Sequence, residues 1–235
     1  MAEKIRATVQ EIKIISERLR IFRLVWEGIE NFNFKAGQFV MLSSDDFLDE
    51  GNKPVKRAYS IVNAEHEKSY LELCISKQQY FSKFLFEEIK EGDVLNLEGP
   101  FGTFLLEGCE QNITFIAGGT GIAPMVSFIR TLRREGCDKD IWLFYSTRKE
   151  EDMAYRKEFE EYAKENKKFH YIPSCTRACE NWKGRRERVT EFLHEYITTD
   201  RPCYICGPPA MDQAVKDKLR EIGVSEKNIH VEKWG

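Results

Sequence analysis

No stretch of this 235-residue chain is apolar for long enough to cross a bilayer, and the first 25 residues, MAEKIRATVQEIKIISERLRIFRLV, carry a charge every few positions. Neither a secretory leader nor a membrane span is expected. An excess of one charge is also missing: 36 basic and 39 acidic side chains leave a net charge of -3, spread along the whole length. Such a balance does not build the basic face that nucleic acid requires. The seven cysteines (74, 109, 137, 175, 179, 203 and 206) are odd in number and scattered, which argues against a disulfide framework. They complete no four-ligand spacing, so no zinc, iron-sulfur or other metal site is expected, and the compartment expected is the reducing cytoplasm. Cys203 and Cys206 form a C-x-x-C, but in a strand residues three apart point to opposite faces, whereas a redox pair sits at a helix start. Internal repeats, low-complexity tracts and long linkers are absent as well.

What is present suits two domains: 42% hydrophobic and 32% charged residues over this length. Up to about residue 108, short runs (5–15, 21–26, 38–42, 58–62, 70–76 and 94–97) alternate with Gly and Asn/Asp punctuation, the pattern of a small antiparallel barrel. One helix interrupts them, "YFSKFLFEEIKEGD", with Phe81, Phe84, Leu85 and Ile89 on one face and a stop at Gly92. The rhythm then becomes strand and helix in turn: 113–117 with 123–134, 141–145 with 153–165, 169–174 with 189–197, 204–206 with 210–222, and a last strand at 229–231. Five strands alternating with helices predict a parallel sheet covered on both faces, an α/β domain. The domains expected are 1–108 and 109–235, joined near residues 107–111.

Four motifs carry chemistry. "FIAGGTGIAPMVSF" (115–128) places Gly118, Gly119 and Gly121 between a strand and a helix. Glycines expose backbone N–H groups and a helix N-terminus adds partial positive charge, so a pyrophosphate fits, and so does a plain structural turn. From Gly119 the spacing is G-x-G-x-x-P, and Pro124 stands where a dinucleotide fingerprint has its last glycine. In the first helical turn a proline loses nothing by lacking an N–H. In "RAYSIV" (57–62), strand alternation puts Arg57 and Tyr59 on one side, which suits a phosphate fork beside a stacking plate and equally a solvated edge arginine beside a core tyrosine. "GPFGTF" (99–104) follows the sixth run. In "YICGPPAMDQAV" (204–215), Cys206 stands at the carboxyl end of a parallel strand, where open α/β sheets bind ligands.

Taken in order, R-x-Y-S, G-P-x-G, G-G-T-G-x-A-P and C-G-P-P resemble the ferredoxin-NAD(P) reductase family of flavoproteins, over nearly the whole chain. The resemblance implies an FAD-binding barrel followed by an NAD(P)-binding domain. Arg57 would contact the flavin phosphates, Tyr59 would stack on the isoalloxazine and Ser60 would hydrogen-bond near flavin N5. Ser82 takes the serine place of a G-x-x-S that caps the FAD pyrophosphate, although Gln79 replaces its glycine. Gly118, Gly119, Thr120, Gly121 and Pro124 would form the NAD(P)H pyrophosphate loop, while Cys206, with Gly207 and Pro208, would flank the nicotinamide. In the tail "VEKW", Glu232 would lie near the hydride path and Trp234 could cover the flavin, with Gly235 following it as a departure. Arg148, Arg177 and Arg185, with Arg186, occupy the region that chooses between NADH and NADPH; that choice stays open.

The activity implied is hydride transfer from NAD(P)H to bound FAD, with Ser60, Cys206 and Glu232 as the catalytic set. Electrons then pass to a separate acceptor such as ferredoxin, flavodoxin or an oxygenase component. Alternatives are an electron-transfer subunit of a multicomponent oxygenase or other redox complex, a free-flavin reductase, and a nucleotide-binding regulator without redox activity.

Overall fold

The computed structural model describes residues 2–232. The chain folds as two compact units, one holding the residues up to Leu106 together with Val126–Thr131, the other beginning at Glu107 and taking the remainder.

The first unit contains β1 (Glu3–Ser16), β2 (Leu19–Val25), β3 (Phe39–Ser43), β4 (Arg57–Ser60), β5 (Leu71–Ser76) and β6 (Val94–Phe101). They form one six-stranded sheet in the order β4-β3-β6-β1-β2-β5, and every pairing is antiparallel. An antiparallel bridge between Ile61 and Leu73 joins the two edges, so the sheet nearly closes into the expected barrel. β1 is 14 residues long because it serves two partners, pairing β6 through Glu3–Thr8 and β2 through its second half. Alternation sends Val9, Phe22, Leu24, Val40, Leu42 and Leu97 inward. Helix α1 (Phe81–Glu87) adds Phe81 and Leu85 to the same cluster. One charge is buried on the opposite face of β5. The Glu72 carboxylate accepts from Arg23 Nε at 2.8 Å and pairs with Arg130 at 3.3 Å, while its backbone N–H donates to the Asn63 side-chain oxygen at 2.6 Å. A carboxylate persists there because guanidinium groups replace the water it has lost.

After the barrel, β7 (Ile113–Gly118), α2 (Ile122–Glu135, whose stretch Val126–Thr131 belongs to the first unit), β8 (Ile141–Thr147), α3 (Arg156–Glu165), β9 (Phe169–Cys175), α4 (Val189–Phe192), β10 (Cys203–Cys206), α5 (Pro209–Ile222) and β11 (Ile229–Glu232) follow one another. All five strands are parallel, in the order β11-β10-β7-β8-β9. β7, at the centre, is buried at every position, which is why it reads as an unbroken apolar run. β8 and β9 lie on one side of it, β10 and β11 on the other, so the order reverses between β7 and β10. Open α/β sheets place ligands at such a reversal.

The expected architecture is the one adopted, with local differences. The helix expected over 189–197 is a short α-helix continued by a 3-10 turn at Leu193–Glu195. The helix expected from 153 starts at Arg156, after Tyr155 in the left-handed region at φ 59°. The cysteine reading is corrected at one place: a disulfide joins Cys109 to Cys137, with Cα atoms 5.9 Å apart. Spacing in the sequence could not reveal it, because β7 and α2 run out and back between the two residues.

The β7 and β10 turns are interlocked. A Cβ placed on Gly121 would overlap the Cys206 carbonyl oxygen and stand 2.9 Å from the Gly207 nitrogen. Both obstacles are backbone and cannot rotate away. Gly121→Ala is therefore expected to destabilise the folded chain by about 2 kcal/mol or more, seen as a lower melting temperature. An unchanged melting temperature would show that the two turns separate easily.

Candidate functional site

At the reversal of strand order the C-terminal ends of β7 and β10 lie side by side, with Ala117 paired to Cys206. β7 breaks at Gly118, and a 3-10 turn over Gly119–Gly121 leads into α2. Gly119 has φ +55° and a Cβ there would meet nothing within 4 Å, so the crest of the turn is open where its base is crowded. An open glycine crest ahead of the first turn of a 14-residue helix is a shape that receives a diphosphate. Pro124 is the third residue of α2, within the turn whose N–H groups have no partner inside the helix. Thr120 is half-buried on the same crest.

Cys206 is fully buried at the end of β10, and its register partner on β11 is Glu232. Burial pushes the Glu232 carboxyl up to about 7. Gly207 and Pro208 form the turn into α5, and a Cβ on Gly207 would lie 3.3 Å from the Gly118 Cα. One residue at this crossing escaped sequence reasoning. Asp212, in the first turn of α5, is 7% exposed, and among the described residues its Oδ1 has no hydrogen-bond partner. Burial alone drives its carboxyl up to about 7. The only sequence signal was an acid six residues after Cys206, which a solvated helix face accommodates equally well.

The four arginines separate into two kinds. Arg148 and Arg177 follow β8 and β9, are exposed, and are joined by a 2.8 Å bond from the Arg177 N–H to the Arg148 carbonyl. No carboxylate pairs with either side chain among the described residues. Arg185 and Arg186 are used internally. Arg185 forms a two-pronged pair with Glu195, donates to the Tyr196 hydroxyl at 2.9 Å and lies over the Phe192 ring. Arg186 donates to the carbonyls of Ala178, Cys179, Glu180 and Trp182. Trp234 lies outside the described residues.

In the first unit, Arg57, Tyr59 and Ser60 occupy β4, with Arg57 exposed and Tyr59 and Ser60 buried. Tyr59 packs with the barrel core; burial pushes its phenol up, and nearby Arg57 pulls it partly back. Ser82, at the start of α1, keeps its hydroxyl within its own loop, accepting from the Gln78 N–H at 2.9 Å and donating to the Gln79 carbonyl at 3.3 Å. A cavity of about 570 Å3 lies beside these residues, lined by Arg18, Arg57, Lys77, Lys83, Tyr80 and Glu87 among others. Four cations face one carboxylate, and this excess of positive charge suits a diphosphate. Arg18, Lys77 and Lys83 were not among the expected residues, because lining a common cavity depends on how β1, β2, β5 and α1 come together. No group of histidine, cysteine or carboxylate side chains able to hold a metal occurs among the described residues, and no described helix is long and apolar enough to cross a membrane.

Residues 6–105 match the family model of the oxidoreductase FAD-binding domain, and residues 115–217 that of the oxidoreductase NAD-binding domain. A ferredoxin-NADP reductase B of Sorangium cellulosum is 30% identical over 245 residues, covering 99% of this chain and 98% of the relative. The electron transfer component of anthranilate 1,2-dioxygenase from Acinetobacter baylyi is 29% identical, over 98% of this chain and 67% of its own length. Several further relatives are longer too, the chain spanning 66% of one and 51% of another. Among solved structures, a cytochrome P450 reductase from Amycolatopsis superposes with a TM-score of 0.85 at 28% identity, over 99% of this chain and 70% of that one. By fold, by both family models and by a full-length relative, the chain belongs to the ferredoxin-NAD(P) reductase family of FAD- and NAD(P)-binding oxidoreductases.

Proposed function

We propose that this chain takes hydride from NAD(P)H onto FAD and delivers electrons to a separate protein, a ferredoxin, a flavodoxin or an oxygenase component. In this reading residues 1–108 bind FAD and residues 109–235 bind NAD(P)H. The observation that carries it is the interlocked pair of turns at the sheet's switch point, with its open glycine crest. FAD, when bound, would supply the acceptance of one hydride, two electrons at once, and the release of those electrons singly. The chain's residues supply position and charge. Arg57 balances the flavin phosphates, Tyr59 packs against the ring and the Ser60 hydroxyl hydrogen-bonds near N5. Ser82 holds the loop beside the diphosphate. Gly118, Gly119 and Gly121 with the N-terminus of α2 take the nucleotide diphosphate, and Thr120, Cys206, Gly207 and Pro208 orient the nicotinamide. The Glu232 carboxyl, pushed toward neutrality by burial, holds a proton beside Cys206. The five cysteines not joined in a disulfide are the feature that supports a cytoplasmic location.

A specific observation favours NADPH over NADH. Arg148 and Arg177 are adjacent, exposed and, among the described residues, without carboxylate partners, the arrangement a 2'-phosphate calls for. Arg185, by contrast, is taken up by Glu195 and is assigned to holding its loop.

Anaerobic stopped-flow mixing with NADPH and with NADH tests the reading, with the flavin absorbance band as readout. Bleaching by at least one nucleotide is expected, faster with NADPH; a flavin band that neither nucleotide bleaches would overturn it. Replacing Arg148 and Arg177 together by alanine should raise the KM for NADPH about tenfold and leave that for NADH within about twofold, since one charge-assisted phosphate contact carries roughly 1.5–3 kcal/mol. An equal effect on both nucleotides would reassign the pair to the diphosphate.

The buried Asp212 carboxyl gives a pH signature. Its value rises from 3.8 to about 7 in the folded chain, so between these limits the folded state binds the proton more tightly than the unfolded state. Stability therefore falls as pH rises through that window, and the penalty is complete above about pH 7. Asp212→Asn should accordingly raise the melting temperature more at pH 8 than at pH 5. An equal gain at both would mean that Asp212 is solvated.

A further inference from the structure

Asp212 is an acid in a place built for an apolar side chain. On α5 it shares the inward stripe with Val215 and Leu219, both of them fully buried. A leucine would serve the packing of that stripe better. The carboxyl is not there to hold the fold either, since its Oδ1 is buried with no hydrogen-bond partner among the described residues. The partial positive charge of a helix N-terminus favours a carboxylate, but the loss of water outweighs it here and drives the acid toward its neutral form.

Its position gives the carboxyl a neighbour of another kind. A Cβ on Gly207 would stand 3.2 Å from the Asp212 Oδ1 and 3.3 Å from the Gly118 Cα, so the acid and the base of the glycine crest crowd one point. The titratable groups on the elements packed around it are few. On α5 itself Lys216 pairs with Glu226 at 3.6 Å, and on α4 Glu191 accepts from the Arg188 N–H at 3.4 Å. β10 contributes the buried Cys203, Tyr204 and Cys206, and β11 contributes Glu232 and His230, the latter stacked on Tyr204. β7 and the crest contribute none. Burial is the one cause acting on Asp212, so no neighbouring cation supports its ionised form.

We propose that Asp212 couples nucleotide binding to proton uptake: its carboxyl must carry a proton while a diphosphate rests on the crest, so a proton passes from water to the carboxylate as the nucleotide binds, and rising pH releases the nucleotide. This rests on the reading of the crest as the NAD(P)H diphosphate site and goes beyond it in naming the residue that sets its pH response. Two like charges would otherwise face each other through packed backbone, where no water screens them. A bound diphosphate also covers the crest and takes further water from the crossing. Both effects raise the proton affinity of Asp212, and by reciprocity the proton raises the affinity for the nucleotide. Without nucleotide the carboxyl loses its proton at about pH 7, and with nucleotide it holds the proton to higher pH. Affinity is therefore level below about pH 7 and falls as the pH rises above it.

Calorimetric titration of the FAD-loaded full chain with NADP+, which leaves oxidised FAD unreduced, tests the proposal. Paired buffers of different ionisation enthalpy report the protons taken up. The 2'-phosphate of the nucleotide and Glu232 titrate in the same range, so every quantity is read as the difference between the unmodified chain and Asp212→Asn. At about pH 7.5 the unmodified chain should take up about half a proton more per nucleotide than the variant. The two should bind NADP+ alike at about pH 6, and at about pH 8.5 the variant should bind about tenfold more tightly, an ordinary size for coupling between two sites. Asp212→Ser, neutral but smaller, should show the same pH response as asparagine, which separates charge from shape. Equal proton uptake and an equal pH dependence of affinity in the unmodified and variant chains would overturn the coupling and leave the nucleotide site standing. An unmodified chain that binds no NADP+ at either pH would remove the nucleotide reading of the crest, and this inference with it.

Discussion

The second unit depends on one close approach, that of Gly121 to the backbone of Cys206 and Gly207. Two strand-helix turns can meet at this distance only where neither presents a β-carbon, and the meeting aligns everything around it. Ala117 stands opposite Cys206 in one direction and Glu232 opposite Cys206 in the other. The same crossing leaves Gly119 open on one side and buries Asp212 on the other. Hydrogen bonds along the parallel strands set the level of each turn, but the missing side chain sets their separation. Backbone contact of this kind is stiff, because no rotamer can absorb a displacement.

The two units handle buried charge in opposite ways. In the barrel Glu72 is enclosed with Arg23 and Arg130 at hydrogen-bonding distance, so its ionised form is compensated and locks the surrounding strands. In the sheet Asp212 is buried and Glu232 half-buried with no such pairing among the described residues, and burial drives both toward the neutral form. Compensated charge suits a scaffold. An uncompensated carboxyl costs stability, and it is tolerated where a bound molecule meets the protein.

Much of the fold was legible because fully buried parallel strands write themselves as continuous apolar runs, as "ITFIAG" of β7 and "CYIC" of β10 do. The helices between them carry their own stops, at Gly136 and Gly223, both in the left-handed conformation. The glycine-rich turn and C-G-P-P were legible for the same reason: each is local, and its chemistry follows from residues within one turn. What escaped depends on distant partners. Nothing near Arg185 in the sequence shows that Glu195 will hold it rather than a nucleotide. Asp212 looks like any helix-surface acid until the turn at Gly207 after β10 is seen to bring it against backbone. The cationic cavity needs Arg18 from the β1–β2 connection and Lys77 from the end of β5, residues nearly sixty apart.

The link between Cys109 and Cys137 has a topological consequence. It closes residues 109–137 into a covalent ring that contains all of β7, the glycine crest and all of α2. A single backbone cut anywhere within that ring, even at the exposed crest, leaves both fragments attached. The open glycine crest thus lies in a part of the chain that one nick cannot release.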